Sequence, residues 1–288
     1  MDGEIRFDVA ILLATRKRTQ ALSNAVKSIV NKAEDKRRIQ IILAFDEDDD
    51  VGLPYFLEHI KPWLRDQGVN TKHIVTERYG YSCLNRYYNL MANMAEAHWV
   101  MMWNDDAIMD TQGWDRVVAS YNNQFKVLRV HANNDHPFAI FPIVPRLWIR
   151  MTGQMSRFQE VDHETSHIAY LIDVMETIPV WCTHDRADLT GNNEDETYQQ
   201  RIYYNHDPKN PNSFYYPKYR DMRFRDADVL TMYLKSRGHD ASWWEDIKAG
   251  KNKTPFAKLV MNDPNRQSQA ANMPEYAEFV VKQPDSTQ

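Results

Sequence analysis

Short apolar runs recur along the first two thirds of the chain, and most of them stop at a cluster of charged or amide residues. Val9 to Ala14 leads into Thr15-Arg16-Lys17-Arg18-Thr19, and Ile39 to Phe45 into Asp46-Glu47-Asp48-Asp49-Asp50. His73 to Thr76 is a shorter run, and Trp99 to Trp103 ends in Asn104-Asp105-Asp106. Runs that are apolar without alternation predict strands covered on both faces, as in parallel sheets. Between them, Gln20 to Lys32, Leu53 to Gln67 and Cys83 to Ala97 have helical spacing, the last with Leu84, Tyr88, Met91 and Ala95 on one stripe. Strand followed by helix, repeated, predicts an α/β fold with a mostly parallel, Rossmann-like sheet and helices on both faces.

Further on, the pattern predicts a helix from Trp114 to about Asn123 and strands over Val127 to His131 and Phe138 to Val144. A short helix from Pro145 to Gly153 follows, then an amphipathic helix from about Ser166 to Thr177 with Asp162 as its N-cap, and a strand over Ile178 to Thr183. Composition shifts after Asp188. Residues 189–222 are rich in Asn, Asp, Pro and Tyr, too long for a plain connection, and suit a lid or acceptor loop. Helices are expected over Asp226 to Ser236, ended by Gly238, and near Trp243-Trp244. The region from Lys248 to Lys258 is basic, and residues 262–288 read as a loosely packed tail with one short apolar piece, Tyr276 to Val281. The organisation expected is a domain over residues 1–188 and an extension over 189–288 packed on it.

Composition narrows the class. Hydrophobic content of 43% and charged content of 26% over 288 residues are those of a globular protein. The net charge of -5 argues against nonspecific nucleic-acid binding by the whole surface. Cys83 and Cys182 are the only cysteines and lack metal-type spacing; a single disulfide is possible but nothing supports it. No apolar signal region follows the charged N-terminus, and no apolar run is long enough to span a membrane. The expectation is a soluble protein of a reducing compartment, the cytoplasm, without integral membrane contact.

The polar ends of the strands carry the candidate chemistry. Two adjacent carboxylates at the end of a buried strand repel each other and gain little from folding. They suit a hard divalent cation held through oxygen, Mn2+ or Mg2+. A plain solvated turn is the other reading. Thr15, Arg16 and Arg18 stand between a strand and a helix start, where cations and free N–H groups favour phosphate. The glycine-rich loops of Rossmann dinucleotide sites and of P-loops are missing. Asp46 or Asp49 could accept hydrogen bonds from a base or ribose beyond the second strand, although most of that acidic run reads as a solvated loop. Arg86 falls in the first turn of its helix, near the strand ends.

Four pieces, Val9 to Arg18, Ile39 to Asp50, Asn85-Arg86 with Asn89, and Trp103 to Asp106, resemble in order and spacing the nucleotide-sugar-dependent glycosyltransferases of the A-type fold. The resemblance is closest to the large inverting family two and its viral and bacterial relatives and covers roughly residues 8 to 190. It implies a nucleotide diphosphate sugar donor, a UDP-sugar first, and a metal-binding Asp-any-Asp motif. Here that motif reads Asn104-Asp105-Asp106, a departure that puts a neutral oxygen in its first position. Asp106 and Asn104 would hold the cation, with Asp105 near the ribose or the metal's waters, and Asp46 or Asp49 on the nucleoside. The resemblance also implies His184 as a third metal ligand and Asp162, where the family's usual Glu-Asp pair reads Val161-Asp162, as catalytic base. Asn193 to Thr197 would belong to a loop that closes on the nucleotide.

The function expected is a metal-dependent, inverting glycosyltransferase, moving a hexosyl or pentosyl group to an acceptor hydroxyl on a glycan or on a hydroxymethylated base of viral DNA. For DNA, Lys218, Arg220, Arg223 and Arg225 with Tyr215, Tyr216 and Tyr219 could grip a backbone and stack bases; packed tyrosines on a solvated helix are the plainer reading. A viral protein would work in the host cytoplasm. Two other readings remain: a sugar nucleotidyltransferase, against which the missing glycine loop counts, and a non-catalytic carbohydrate- or nucleotide-binding protein on a transferase-like fold.

Overall fold

Phe7–Ala14 forms β1, with every residue up to Leu13 buried. It lies between Ile39–Asp46 (β2) and Ala97–Asn104 (β4), parallel to both. Asn70–Thr76 (β3) extends this half of the sheet, parallel to β2. The computed structural model describes residues 5–133, 138–191, 209–211, 213–214, 216–249 and 251.

Strand alternation explains why these runs are apolar throughout. Most odd-numbered residues of β1, β2 and β4, such as Ile11, Ile41 and Met101, join a cluster with Leu22, Val26 and Ile29 of helix α1 (Thr19–Lys32). Even-numbered Ala10, Leu12, Ile42 and Val100 are equally buried, outside that cluster. Helix α2 (Leu84–Met94), which packs on β1, β2 and β3, contributes none of its buried residues to it. β1, β2 and β4 are thus covered on both faces, as expected, whereas β3 at the edge is only partly buried. Each fully buried aliphatic side chain contributes about 1.5–3 kcal/mol.

The full sheet has eight strands in the order β3-β2-β1-β4-β7-β6-β8-β5. Its second half is mixed. Ile143–Pro145 (β7) runs antiparallel to β4 and to Val127–Ala132 (β6), whereas Met175–His184 (β8) is parallel to β6. Ala107–Met109 (β5) closes the far edge, antiparallel to β8.

Several boundaries differ from those expected. The strand predicted over Phe138 to Val144 shrinks to β7, because Pro142 and Pro145 cannot donate to a ladder. The helix predicted over Ser166 to Thr177 spans Val161–Leu171 (α3), so Asp162 lies in its first turn and is not its N-cap. It stops before Asp173, which takes a left-handed φ of 55°, and Met175 to Thr177 pair with β6 instead. β3 starts at Asn70, where the Gln40 amide donates to the Asn70 side chain at 2.9 Å. The helix after Trp114 ends at Ala119. The helix predicted from Asp226 begins at Pro217, a favourable first position for proline, and runs to Ser236 (α4). Trp243-Trp244 fall in Ser242–Lys248 (α5). The segment 193–197, Tyr215 and the apolar piece 276–281 lie outside the described residues.

By its internal contacts the chain forms two units, Met1–Thr165 with Met175–Ile202, and Ser166–Val174 with Tyr203–Gln288. The sheet belongs wholly to the first. In the second, Arg223 is fully buried: Nε donates to His167 Nδ1 at 2.9 Å, Nη1 donates to the Phe214 carbonyl at 2.9 Å, and the guanidinium lies over the Phe214 ring. This corrects the reading of Arg223 as a cation offered to a nucleic-acid backbone. Among the described residues, no helix is long and apolar enough to cross a membrane. Both cysteines are free thiols.

Candidate functional site

The strand order turns back at β1, with β2 on one side and β4 on the other. In open α/β sheets, ligands sit beyond the carboxyl ends of the strands at such a reversal. Thr15 to Arg18, Asp46 and Asn104 to Asp106 all fall there.

Asp105 is buried and held on both oxygens. Thr15 Oγ1 donates to Oδ2 at 2.7 Å and Arg18 Nη1 donates to Oδ1 at 3.0 Å. Burial pushes its carboxyl up to about 6, against the charge of Arg18. Arg18 Nη1 also lies 3.6 Å from Asp106 Oδ2, so one guanidinium balances both adjacent acids. His184 Nε2 faces Asp106 Oδ1 at 3.2 Å. Burial alone would raise the Asp106 carboxyl, yet His184 and Arg18 hold it below the ordinary value.

The backbone explains this convergence. β5 follows Asp106 directly, and its register sets Ala107 opposite His184. Asn133 braces the histidine: the His184 N–H donates to Asn133 Oδ1 at 2.8 Å, and Asn133 Nδ2 donates to the His184 carbonyl at 3.2 Å.

The chemistry of the donor set can be tested against a metal ion. Among the described residues, no three His, Cys, Asp or Glu side chains gather as an ion site. However, Asp106 Oδ1 and both ring nitrogens of His184 are buried with no aligned hydrogen-bond partner. Buried polar atoms left in this way are costly unless something satisfies them. One carboxylate oxygen and one imidazole nitrogen, with the Asn104 amide on the same strand end, suit Mn2+ or Mg2+ as a partial set.

Asp162 lies within electrostatic reach of that corner. The Tyr88 hydroxyl is raised well above its ordinary pKa, first by burial and then by the negative charges of Asp105, Asp162 and Asp106. Those three carboxylates are therefore near enough to act on one phenol through their charge. Burial, then the charge of Glu160, pushes the Asp162 carboxyl above its ordinary value, which makes it a stronger base. The segment ahead of Asp162 is pinned. Glu164 accepts hydrogen bonds from Ser156 Oγ and from the backbone N–H groups of Arg157 and Phe158, the last two at 2.7 Å each. Asn89 holds the same segment from α2, accepting from Met155 N at 2.9 Å and donating to the Ser156 carbonyl at 2.7 Å.

The second acidic cluster divides into two roles. Asp46 is buried, accepting from the Tyr87 hydroxyl and, at 3.0 Å, from Arg16 Nη1. Arg16 also bonds both oxygens of Asp48. Asp49 instead builds the backbone. Its Oδ1 accepts from Gly52 N at 2.7 Å, capping the helical turn Gly52–Tyr55, and its Oδ2 accepts from Lys17 N at 3.1 Å. A Cβ on Gly52 would stand 2.4 Å from Asp49 Oδ2, so only glycine fits. Lys17 takes a φ of 59°, a strained conformation that turns the chain from β1 into α1. Arg86 is exposed, with its guanidinium over the Tyr79 ring. Tyr87 and Tyr88 were not singled out for chemistry: the sequence showed Tyr88 only as an apolar helix stripe.

No protein-family model matches the sequence, and a comparison with curated protein sequences finds no match. Solved structures do match. The mannosyltransferase PcManGT from Pyrobaculum calidifontis, in complex with GDP-Man and Mn2+, superposes with a TM-score of 0.54 at 12% identity, over 96% of this chain and 76% of that one. S. aureus TarS 1-349 in complex with UDP-GlcNAc gives 0.54 at 11% identity, over 95% of this chain and 88% of that one. The UDP complex of the same TarS segment gives 0.51 at 11% identity, over 96% and 83%. At such identity the likeness is one of fold, and the fold is that of the A-type glycosyltransferases.

Proposed function

We propose that this protein is a metal-dependent glycosyltransferase that moves a sugar from a nucleotide diphosphate donor to an acceptor hydroxyl. One observation carries the reading: Asp105 and Asp106 stand together at the end of β4, with Arg18 against both and His184 against Asp106, at the sheet reversal of an A-type fold. The ligands of the similar structures, GDP-Man with Mn2+ and UDP-GlcNAc, support the donor class. A UDP-sugar is the first donor to try, and the sugar is a hexose or pentose.

Asn104, Asp106 and His184 would hold Mn2+ or Mg2+. That ion, when bound, supplies Lewis-acid neutralisation of the departing diphosphate. Arg18 and Arg16 add fixed positive charge beside it. Both guanidiniums are engaged with carboxylates here, Arg18 with Asp105 and Arg16 with Asp46 and Asp48, which fixes their positions in advance. Asp46 faces the nucleoside, with Tyr87 and Arg16 orienting its carboxylate. Asp162 takes the proton of the attacking hydroxyl, which gives inversion; its raised pKa suits that step.

The acceptor is a glycan. A DNA acceptor is the weaker choice, since Arg223 is buried and withdrawn from the basic helix face. Residues 189–288 form the extension to the catalytic domain of residues 1–188, and free cysteines suit work in the cytoplasm. The test is a thermal-shift screen of UDP- and GDP-sugars with and without Mn2+, followed by donor hydrolysis. Stabilisation by a donor that requires Mn2+, with turnover, supports the reading. Turnover independent of divalent ions overturns its metal part, and binding without turnover favours the non-catalytic alternative.

A further inference from the structure

The Tyr88 hydroxyl stands 2.9 Å from the Trp103 carbonyl oxygen and 3.2 Å from the Asn104 side-chain oxygen. A phenol carries one proton. The nearer carbonyl takes it, and two oxygens are then left facing each other across 3.2 Å. Tyr88 is 2% exposed, so water does not relieve that contact. An amide oxygen and nitrogen have the same shape and are distinguished by the bonds they make. With the Asn104 amide turned over, Nδ2 donates to Tyr88 Oη, and each group at the contact finds a complementary partner.

We infer that Tyr88 is a positioning residue that orients the Asn104 amide, taking its NH2 group and turning its carbonyl oxygen out as the oxygen donor of the metal corner. The inference rests on the metal reading above and deepens it. It accounts for the departure at the first position of the motif: a carboxylate offers oxygen whichever way it turns, whereas an amide does so in one of two orientations. Orientation therefore has to be supplied, and a fully buried hydroxyl on α2 supplies it. Tyr88 itself touches neither ion nor substrate.

The test is Mn2+ titration of the full chain, read by the electron paramagnetic resonance signal of free Mn2+. Four proteins are compared: wild type, Tyr88→Phe, Asn104→Asp, and the double variant. Tyr88→Phe is expected to weaken Mn2+ binding by about 10-fold, as loss of a supporting bond to a metal ligand does. In the Asn104→Asp background the same change is expected to cost less than about 2-fold, because both outer atoms are then oxygen and the two sites no longer couple. Equal losses in both backgrounds would mean that Tyr88 acts through folding alone and would overturn the inference. So would a Tyr88→Phe protein that binds as well as wild type. A wild-type protein that binds no Mn2+ overturns the metal reading itself, and the inference with it.

Discussion

Arg18 Nη1 donates to Asp105 Oδ1 at 3.0 Å and lies 3.6 Å from Asp106 Oδ2, so a single cation at the start of α1 compensates two neighbouring acids at the end of β4. All three side chains are nearly buried. Breaking a buried ion pair leaves an uncompensated charge, which costs about 3–5 kcal/mol. Arg18→Met is expected to lose on that order in urea denaturation of metal-free protein. Adding Asp105→Asn removes the stranded charge while keeping an acceptor for Thr15. The double variant should be more stable than Arg18→Met alone, and a purely additive result would refute the pairing.

Glu164 collects three donors on one carboxylate oxygen and thereby fixes Ser156 to Phe158. Glutamine keeps an acceptor but gives up the charge, and about 1–2 kcal/mol should be lost. Alanine strands the buried donors and should lose more, on the order of 3 kcal/mol. Limited trypsin digestion should nick at Arg157 faster in both variants, since the segment then opens locally. Unchanged digestion would show that Asn89 alone secures it.

Asp162→Asn is expected to bind donor as wild type does, because no donor contact is assigned to it. Turnover should fall by about 100- to 10,000-fold, the usual contribution of a general base. Isothermal titration and a turnover assay separate the two effects. Near-full activity would remove Asp162 from the mechanism.

Asp8 provides a pH-dependent control remote from that chemistry. It accepts from Arg38 at 2.6 and 3.0 Å and from Asn122 Nδ2 at 3.0 Å. Burial opposes ionisation, but these bonds prevail and hold the carboxyl below its ordinary 3.8. A depressed folded pKa means stability that is present above the unfolded value and lost as pH falls through the folded one. Asp8→Asn should therefore be less stable than wild type at pH 7 by about 2 kcal/mol. The gap should close as the pH is taken below 3.8, and a gap that does not change with pH would contradict the assignment.

Much of this arrangement could be read before the fold was seen. β1, β2 and β4 showed as unbroken apolar runs because helices cover both of their faces, and the polar residues at their ends mark the reversal of the sheet. β5 stayed hidden because three residues carry no periodic signal, and β7 was expected too long because its flanking prolines remove donors from the ladder that the apolar run suggests. The start of α3 was misplaced because Asp162 looks like a cap, whereas the helix begins one residue before it. The hydroxyls of Tyr87 and Tyr88 were masked by their rings: along a helix stripe a buried tyrosine reads as another apolar residue. What places the Tyr88 hydroxyl against Trp103 and Asn104 is tertiary packing of a helix on a strand, which no local spacing records.

The pairing of β5 with β8 has a consequence for how this chain tolerates insertions and deletions. Ala107 lies opposite His184, and the Asp185 N–H donates to the Asp106 carbonyl at 2.6 Å. Because side chains alternate along a strand, slipping β8 by one residue would present Thr183 or Asp185 where the imidazole now stands. The imidazole and the acid it faces are therefore locked in step. A single residue gained or lost within Met175–His184 should be far more damaging than the same lesion in a surface turn, although almost every side chain of the protein would survive it.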